Sequence, residues 1–468
     1  MSRSAHPAGP RSGSVLAEHL PATPPDDLNA LASAIWPGSV RRIDGELHLG
    51  GVAVSELVAQ HGTPALFLDE ADLRDRARAY ATAFDGGTVY YAGKAFLCTT
   101  LARWIADEGL GLDVCTGGEL AVAVAADFPS ERLGMHGNNK SRAELQAAVE
   151  ARVGQIIVDS FSEIDRLAEI SAAAGIRQKV LVRVTVGVEA HTHEFIATAH
   201  EDQKFGFSLP GGQAERAVAA VLGQPSLELV GLHSHIGSQI FDTAGFEIAA
   251  HRVVQLAATI RDRHGVEVGE LNLGGGLGIA YVSGDDPESP KEIAQRLVAI
   301  VERECAAADL APPRVCVEPG RAIVGPAAIT VYEVGTVKDV VLDGGLTRSY
   351  VSVDGGMSDN IRTALYDATY TCALANRAST ANAKLARIVG KHCESGDIVV
   401  RDTWLPGDIG PGDLLAVAAT GAYCRSMASN YNHVPRPPVV SVRDGTATVL
   451  VRREIEDDLL RLDAGYQR

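Results

Sequence analysis

The 468-residue chain has no apolar run approaching the roughly 20 residues that cross a bilayer. Its first 27 residues, MSRSAHPAGPRSGSVLAEHLPATPPDD, hold Pro, Ser and Gly but no apolar core with a small-residue cleavage site, so no secretory signal is expected. Basic charge is short: 42 Lys and Arg against 59 Asp and Glu leave a formal net charge of −17. That deficit predicts neither nucleic-acid binding nor a polybasic membrane patch. Small anions stay admissible, because net charge says nothing about an individual pocket. Cysteine is sparse too. The seven, at positions 98, 115, 305, 316, 372, 393 and 424, form no CxxC pair and no framework, which predicts reduced thiols in a cytoplasmic protein. The remaining balance, 46% hydrophobic and 22% charged, excludes a largely disordered or fibrous chain.

What is present has a period. Short β-branched or apolar runs recur, each ending in glycine or polar residues: VYYAGK (89–94), LDVCT (112–116), GMHGN (134–138), QIIVDS (155–160), VLVRVTV (180–186), LVGLHSHIG (229–237), LNLGGG (271–276) and RVCVEPG (314–320). Ala-rich helical patterns lie between them, such as SRAELQAAVEARV, SEIDRLAEISAAAG, GGQAERAVAAVLG and PKEIAQRLVAIVEREC. Alternating strands and helices imply parallel βαβ units, and eight of them close naturally into a (β/α)8 barrel. An open doubly wound sheet is the alternative architecture. Beyond Gly320 the pattern changes to strands joined by Gly- and Pro-containing turns, read as antiparallel. The expected division is a flexible tail over 1–27, an N-terminal segment over 28–62 that joins a β-rich domain, a cofactor-binding barrel over 63–328, and the β-rich domain proper over 329–468.

In such a barrel, polar residues at the strand C-termini are candidate site residues. Lys94 ends the first run; desolvated in the mouth, its amine would become a usable nucleophile. Gly274, Gly275 and Gly276 end the seventh, where backbone N–H groups and a following helix N-terminus would favour phosphate. Glu318, Gly320 and Arg321 end the eighth. His233, His235 and Ser238 end the sixth. The histidines at 233 and 235, and those at 191, 193 and 200, invite a metal, but no cysteine or carboxylate set with metal spacing accompanies them, so none is expected. A reactive amine, a phosphate cradle, an imidazole and an acid–arginine pair are together the parts needed to hold pyridoxal 5'-phosphate.

Those segments resemble diaminopimelate decarboxylases, of the alanine-racemase-like fold class. YYAGKAF, GLGLDVCTGGEL, MHGNNKS, GLHSHIGSQI, LGGGLG, EPGR, DGGMSDNIRTALY, CESGD and GAYCRSMASNYN are similar to family segments and stand in family order. GVEAHTHEFIATAHEDQKFGF resembles the actinobacterial branch. The departures, the N-terminal tail and a polar loop at LDGGLTRS, touch no matched motif.

The resemblance implies roles. Lys94 would carry the cofactor and His235 would stack on its ring. Ser238, Gly275, Gly276, Gly320 and Arg321 would serve its phosphate and ring, with Glu318 at the pyridine nitrogen. Arg321, Arg362 and Tyr366 would bind the far carboxylate of the substrate. Cys393 and Glu394 would reach the active site of the partner subunit in a homodimer, and Tyr423 would contact cofactor and substrate. Lys94 or Cys393 would return the proton. The implied reaction converts meso-diaminopimelate to L-lysine and CO2. Without the resemblance, Arg362 and Tyr366 read as a surface helix pair and Cys393 as a small buried hydrophobe. The rival classes are an ornithine, arginine or carboxynorspermidine decarboxylase, an amino-acid racemase, and a non-catalytic cofactor-binding homologue.

Overall fold

The computed structural model describes residues 16, 20–188, 204–342 and 345–466. They divide into two compact units. One comprises residues 74–279 and 286–323; the other comprises the described residues up to Leu73, with Ala280–Asp285 and those from Val324 onward.

The first unit is a closed barrel of eight parallel strands: β1 (Thr88–Ala92), β2 (Gly111–Val114), β3 (Leu133–Met135), β4 (Gln155–Val158), β5 (Gln178–Thr185), β6 (Leu227–His233), β7 (Glu270–Asn272) and β8 (Arg314–Val317). Each pairs in parallel with the next, and β8 closes on β1 through Cys316 opposite Thr88 and Val317 opposite Val89. The strands are nearly continuous apolar runs because both faces are covered. Helices start where serine precedes the apolar period. Ser141 and Ser289 form capping boxes with Glu144 and Glu292, and Ser160 accepts from the Glu163 N–H. These caps open Arg142–Glu150, Pro290–Ala307 and Phe161–Ala173, three of the four helices read from the sequence; the fourth is Gln213–Leu222.

The second unit is β-rich. Its main sheet runs in the order Ile398–Pro406, Ala383–Val389, Thr347–Val353, Ala328–Val341, Ala65–Asp69, Val439–Arg443, Thr446–Val451. Leu414–Ala418 pairs with Ala328–Val341 and with Cys372–Leu374. The early segment adds a three-stranded sheet from Arg41 to Ala53, whose Leu47 and Leu49 share a buried core with Phe67, Ile329 and Val440.

Three expectations need correction. Ala65–Asp69, assigned to the barrel at its expected start near 63, is a strand of the β-rich sheet, pairing with Ala328–Val341 and Val439–Arg443. All five of its residues are buried, which any fully covered strand would show. The sheet is also not wholly antiparallel: Thr347–Val353 runs parallel to Ala383–Val389, and Ala65–Asp69 to Val439–Arg443. Third, no helix follows the glycines of β7; the next begins at Pro290. The expected tail falls largely outside the described residues, but Pro21 C=O accepts from Trp404 Nε1 at 3.0 Å. Among the described residues no helix is long and apolar enough to cross a membrane.

Candidate active site

The C-terminal ends of the barrel strands line a cavity of about 230 Å³. Lys94 stands there on the turn Gly93–Ala95 after β1. It is exposed, which corrects the expectation of a desolvated amine: it stands on a turn beyond the buried strand rather than in it. Asp113 from β2, His136 just beyond β3, His233 and His235 from the end of β6, and Glu318 just beyond β8 share the cavity wall. His233 closes β6 and His235 follows two residues beyond it, and both line the cavity.

The acidic end of this cavity is one coupled cluster. Glu318 Oε1 lies 3.2 Å from His136 Nε2 and 3.1 Å from His233 Nε2, and Asp113 Oδ1 lies 3.4 Å from the same His136 nitrogen. Gly134 permits this approach, since a Cβ there would sit 2.8 Å from Asp113 Oδ1. Burial alone would raise the Glu318 carboxyl, but the two imidazoles pull it well below the usual carboxylate range. Burial and the Glu318 charge push Asp113 up. Burial opposes charge on His136 as well, yet Glu318 and Asp113 raise it to about 9. His233, more deeply buried, falls to about 4.

The contacts are close but poorly aligned. Glu318 Oε1 and both Asp113 carboxylate oxygens are buried without a well-directed donor. Three such acceptors suit one cationic N–H, which a protonated pyridine ring would supply. Among the described residues, His136, His233 and Glu318 are also the one set with metal-ligand spacing, their ligand atoms within 4.8 Å. This corrects the expectation that no carboxylate set with metal spacing accompanies His233: Glu318 and His136 stand beside it. A histidine raised to about 9 carries a proton on the shared nitrogen at neutral pH and offers no lone pair there, so we assign no metal. His191, His193 and His200 lie outside the described residues.

His235 and the neighbouring loops suit an aromatic ring and a phosphate. Gly275 N–H donates to His235 Nδ1 at 3.3 Å, which places any ring proton on Nε2. Burial and the Lys94 charge hold this imidazole well below its ordinary range, so it is a neutral aromatic face. Arg321 Nη2 donates to Ser238 Oγ at 2.9 Å. Gly276 has φ +100°, and a Cβ there would meet Gly237 O at 2.3 Å, so only glycine lets the two loops touch. Gly320 packs against Ala92 and Ala95, which flank the Gly93–Lys94 step.

Five other expected site residues belong to the β-rich unit. Arg362, read without the resemblance as a surface residue, is buried. It donates to Tyr281 Oη at 3.0 Å and to Tyr370 Oη, and its guanidinium lies over both rings at 4.9 and 5.5 Å. Among the described residues no Asp or Glu forms an ion pair with it. Tyr366, four residues on, is 62% exposed and shares none of that cluster. Cys393 is exposed, not the buried hydrophobe of the residue-only reading, and Glu394 is half-buried. Tyr423 has φ +63°, which a bulky side chain rarely adopts. Sequence reasoning gave no role to Asp113, His136, Tyr281 or Tyr370. The first two could have been found by applying the strand-end rule to β2 and β3; the tyrosines carried no local signal.

Lys140, in the MHGNNKS segment, fixes the loop that carries His136. Its buried Nζ donates to Gly137 O, Ile157 O and Glu163 Oε1 at 2.7, 2.8 and 2.7 Å, using all three protons. Lys140→Met should strand the Glu163 carboxylate and destabilise the fold by about 3–5 kcal/mol, read from the urea midpoint. A loss below about 1 kcal/mol would show that the pair is dispensable.

Residues 70–325 match the family described as pyridoxal-dependent decarboxylase, pyridoxal binding domain. The chain is 57% identical over 467 residues to a protein named diaminopimelate decarboxylase from Mycobacterium leprae, spanning 98% of this chain and 99% of that one. Its identity to the protein of that name from Bacillus subtilis is 47%, over 90% and 96% of the two chains. The solved structure of diaminopimelate decarboxylase from M. jannaschii in complex with L-lysine superposes with a TM-score of 0.84 at 30% identity, over 91% of this chain and 97% of that one.

Proposed function

The chain belongs to the diaminopimelate decarboxylases, and from that membership we propose how its residues divide the work of turning meso-2,6-diaminopimelate into L-lysine and CO2. The reaction is a pyridoxal-phosphate-dependent decarboxylation, the lysine-forming step of lysine biosynthesis. Bound pyridoxal phosphate supplies an electron sink for the bond to the departing carboxylate.

Lys94 holds the cofactor through its amine. His235 offers the ring a neutral aromatic face. Ser238, Gly275, Gly276, Gly320 and Arg321 provide the donors and close backbone for its phosphate. Glu318 keeps the ring nitrogen protonated. Arg362 takes the far carboxylate of the substrate, with Arg321 and Tyr366 assisting, and Glu394 takes the far ammonium. Tyr423 contacts cofactor and substrate. Cys393 or Lys94 returns a proton to the carbon that lost CO2. The observation that carries this reading is that Lys94, His235 and Glu318 line one cavity. Release of CO2 and lysine from meso-diaminopimelate with added pyridoxal phosphate tests it; no release under saturating cofactor would overturn it.

Cys393 and Glu394 act in the partner's site of a two-fold homodimer, which suits an exposed thiol with no role evident in its own unit. All seven cysteines are free thiols, which suits a reducing cytoplasm. Mixing Lys94→Ala with Cys393→Ala protein under conditions that exchange subunits should give heterodimers with one intact site. Activity should then return to about a quarter of wild type at equal mixing. No recovery despite proven exchange would mean that both residues serve the same chain's site.

A further inference from the structure

We propose that His136 is a positioning residue for the cofactor: an imidazolium held between Glu318 and Asp113, it keeps the Glu318 carboxylate charged for the ring nitrogen. This rests on the reading that Glu318 serves that nitrogen.

The geometry places two carboxylates beside one nitrogen, His136 Nε2, at 3.2 and 3.4 Å. Asp113 comes from β2 and Glu318 from beyond β8, so barrel closure alone brings them together. Two buried carboxylates that share one nitrogen repel each other, and Glu318 keeps its charge more readily when that nitrogen belongs to a cation. His233 cannot be that cation. It is the more deeply buried imidazole, and it meets His136 edge to face with ring centroids 5.0 Å apart, so a second charge there would face the first. Lys94 and Arg183 line the same cavity as further cations, with His235, Cys115 and Glu119, but among the described residues neither makes an ion pair with Glu318. His136 is thus the charge in contact with both acids. Without it, Glu318 loses the imidazolium that does most to hold its carboxyl down and takes a proton at higher pH, and a protonated Glu318 no longer favours a protonated ring nitrogen.

The test follows release of pyridoxal phosphate from the holoenzyme by its visible absorbance between pH 5.5 and 9. His136→Gln should release the cofactor about tenfold faster than wild type at pH 6.5, and the acid limb of its retention should move up by about one pH unit or more. His136→Lys, which restores a cation, should recover most of the retention. Wild-type release and pH profile in His136→Gln, alongside faster release from Glu318→Gln, would overturn the role of His136 and leave the ring-nitrogen reading intact. Unchanged release from both variants would overturn both. Should His136→Gln fail to fold, histidine-selective ¹⁵N NMR of the wild-type holoenzyme decides: one imidazole should carry protons on both nitrogens at pH 8, and its absence refutes the proposal.

Discussion

Lys94→Ala protein should show no visible-range band with pyridoxal phosphate and should turn over diaminopimelate about a thousandfold or more slowly than wild type. Among the described residues, Lys94 is the one lysine lining the cavity. Arg183, on the same wall, cannot stand in, because a guanidinium does not give up a proton to become a nucleophile. A second variant separates chemistry from charge. Lys94→Arg keeps the cation beside His235 and Asp113 but loses the amine, so it should bind the cofactor without the band and remain as inactive as the alanine variant. In wild type, borohydride should abolish the band and leave the cofactor's mass on the peptide containing Lys94. Near-normal turnover in either variant, or label on another peptide, would remove Lys94 from its assigned place.

The exposure of Lys94 marks where local reading ended. The eight runs found in the sequence correspond to the eight barrel strands, because each ends at a glycine or polar residue that stops the apolar pattern locally. The helices were legible for a similar reason: Ser141, Ser160 and Ser289 cap them from the adjacent position. What was not legible depends on distant pairing. Ala65–Asp69 looks like any covered strand, and only its partners at 328–331 and 439–442 reveal its sheet. The turn after β1 that carries Lys94 has no signature beyond one glycine. The His136 cluster joins positions 113, 136, 233 and 318; the strand-end reading singled out 233 and 318, but nothing local ties the four together. The resemblance named Glu318 but not the imidazoles that set its charge.

The second large effect concerns the far end of the substrate. Arg362→Leu should lower kcat/KM for meso-diaminopimelate by about a thousandfold. Arg362 is a buried cation whose near neighbours are tyrosine hydroxyls and rings rather than a carboxylate. Burial opposes its charge, and the Tyr370 and Tyr281 hydroxyls raise its pKa in compensation. Such a group has most to gain from a planar carboxylate that it can bind through two N–H groups. The product makes the case sharper. L-Lysine keeps the far amino-acid end of the substrate, so it can leave that carboxylate on Arg362 and bind as product. To be decarboxylated in turn, lysine must reverse, and only an ammonium then faces a desolvated guanidinium. Wild type should therefore reject lysine and ornithine as substrates by about 10⁴-fold in kcat/KM while binding lysine as an inhibitor. Arg362→Leu should lose both the discrimination and the inhibition. A decarboxylase for ornithine has no far carboxylate to recognise and gains nothing from this buried arginine. Comparable kcat/KM for ornithine and meso-diaminopimelate in wild type would therefore rule out Arg362 as the distal-carboxylate site.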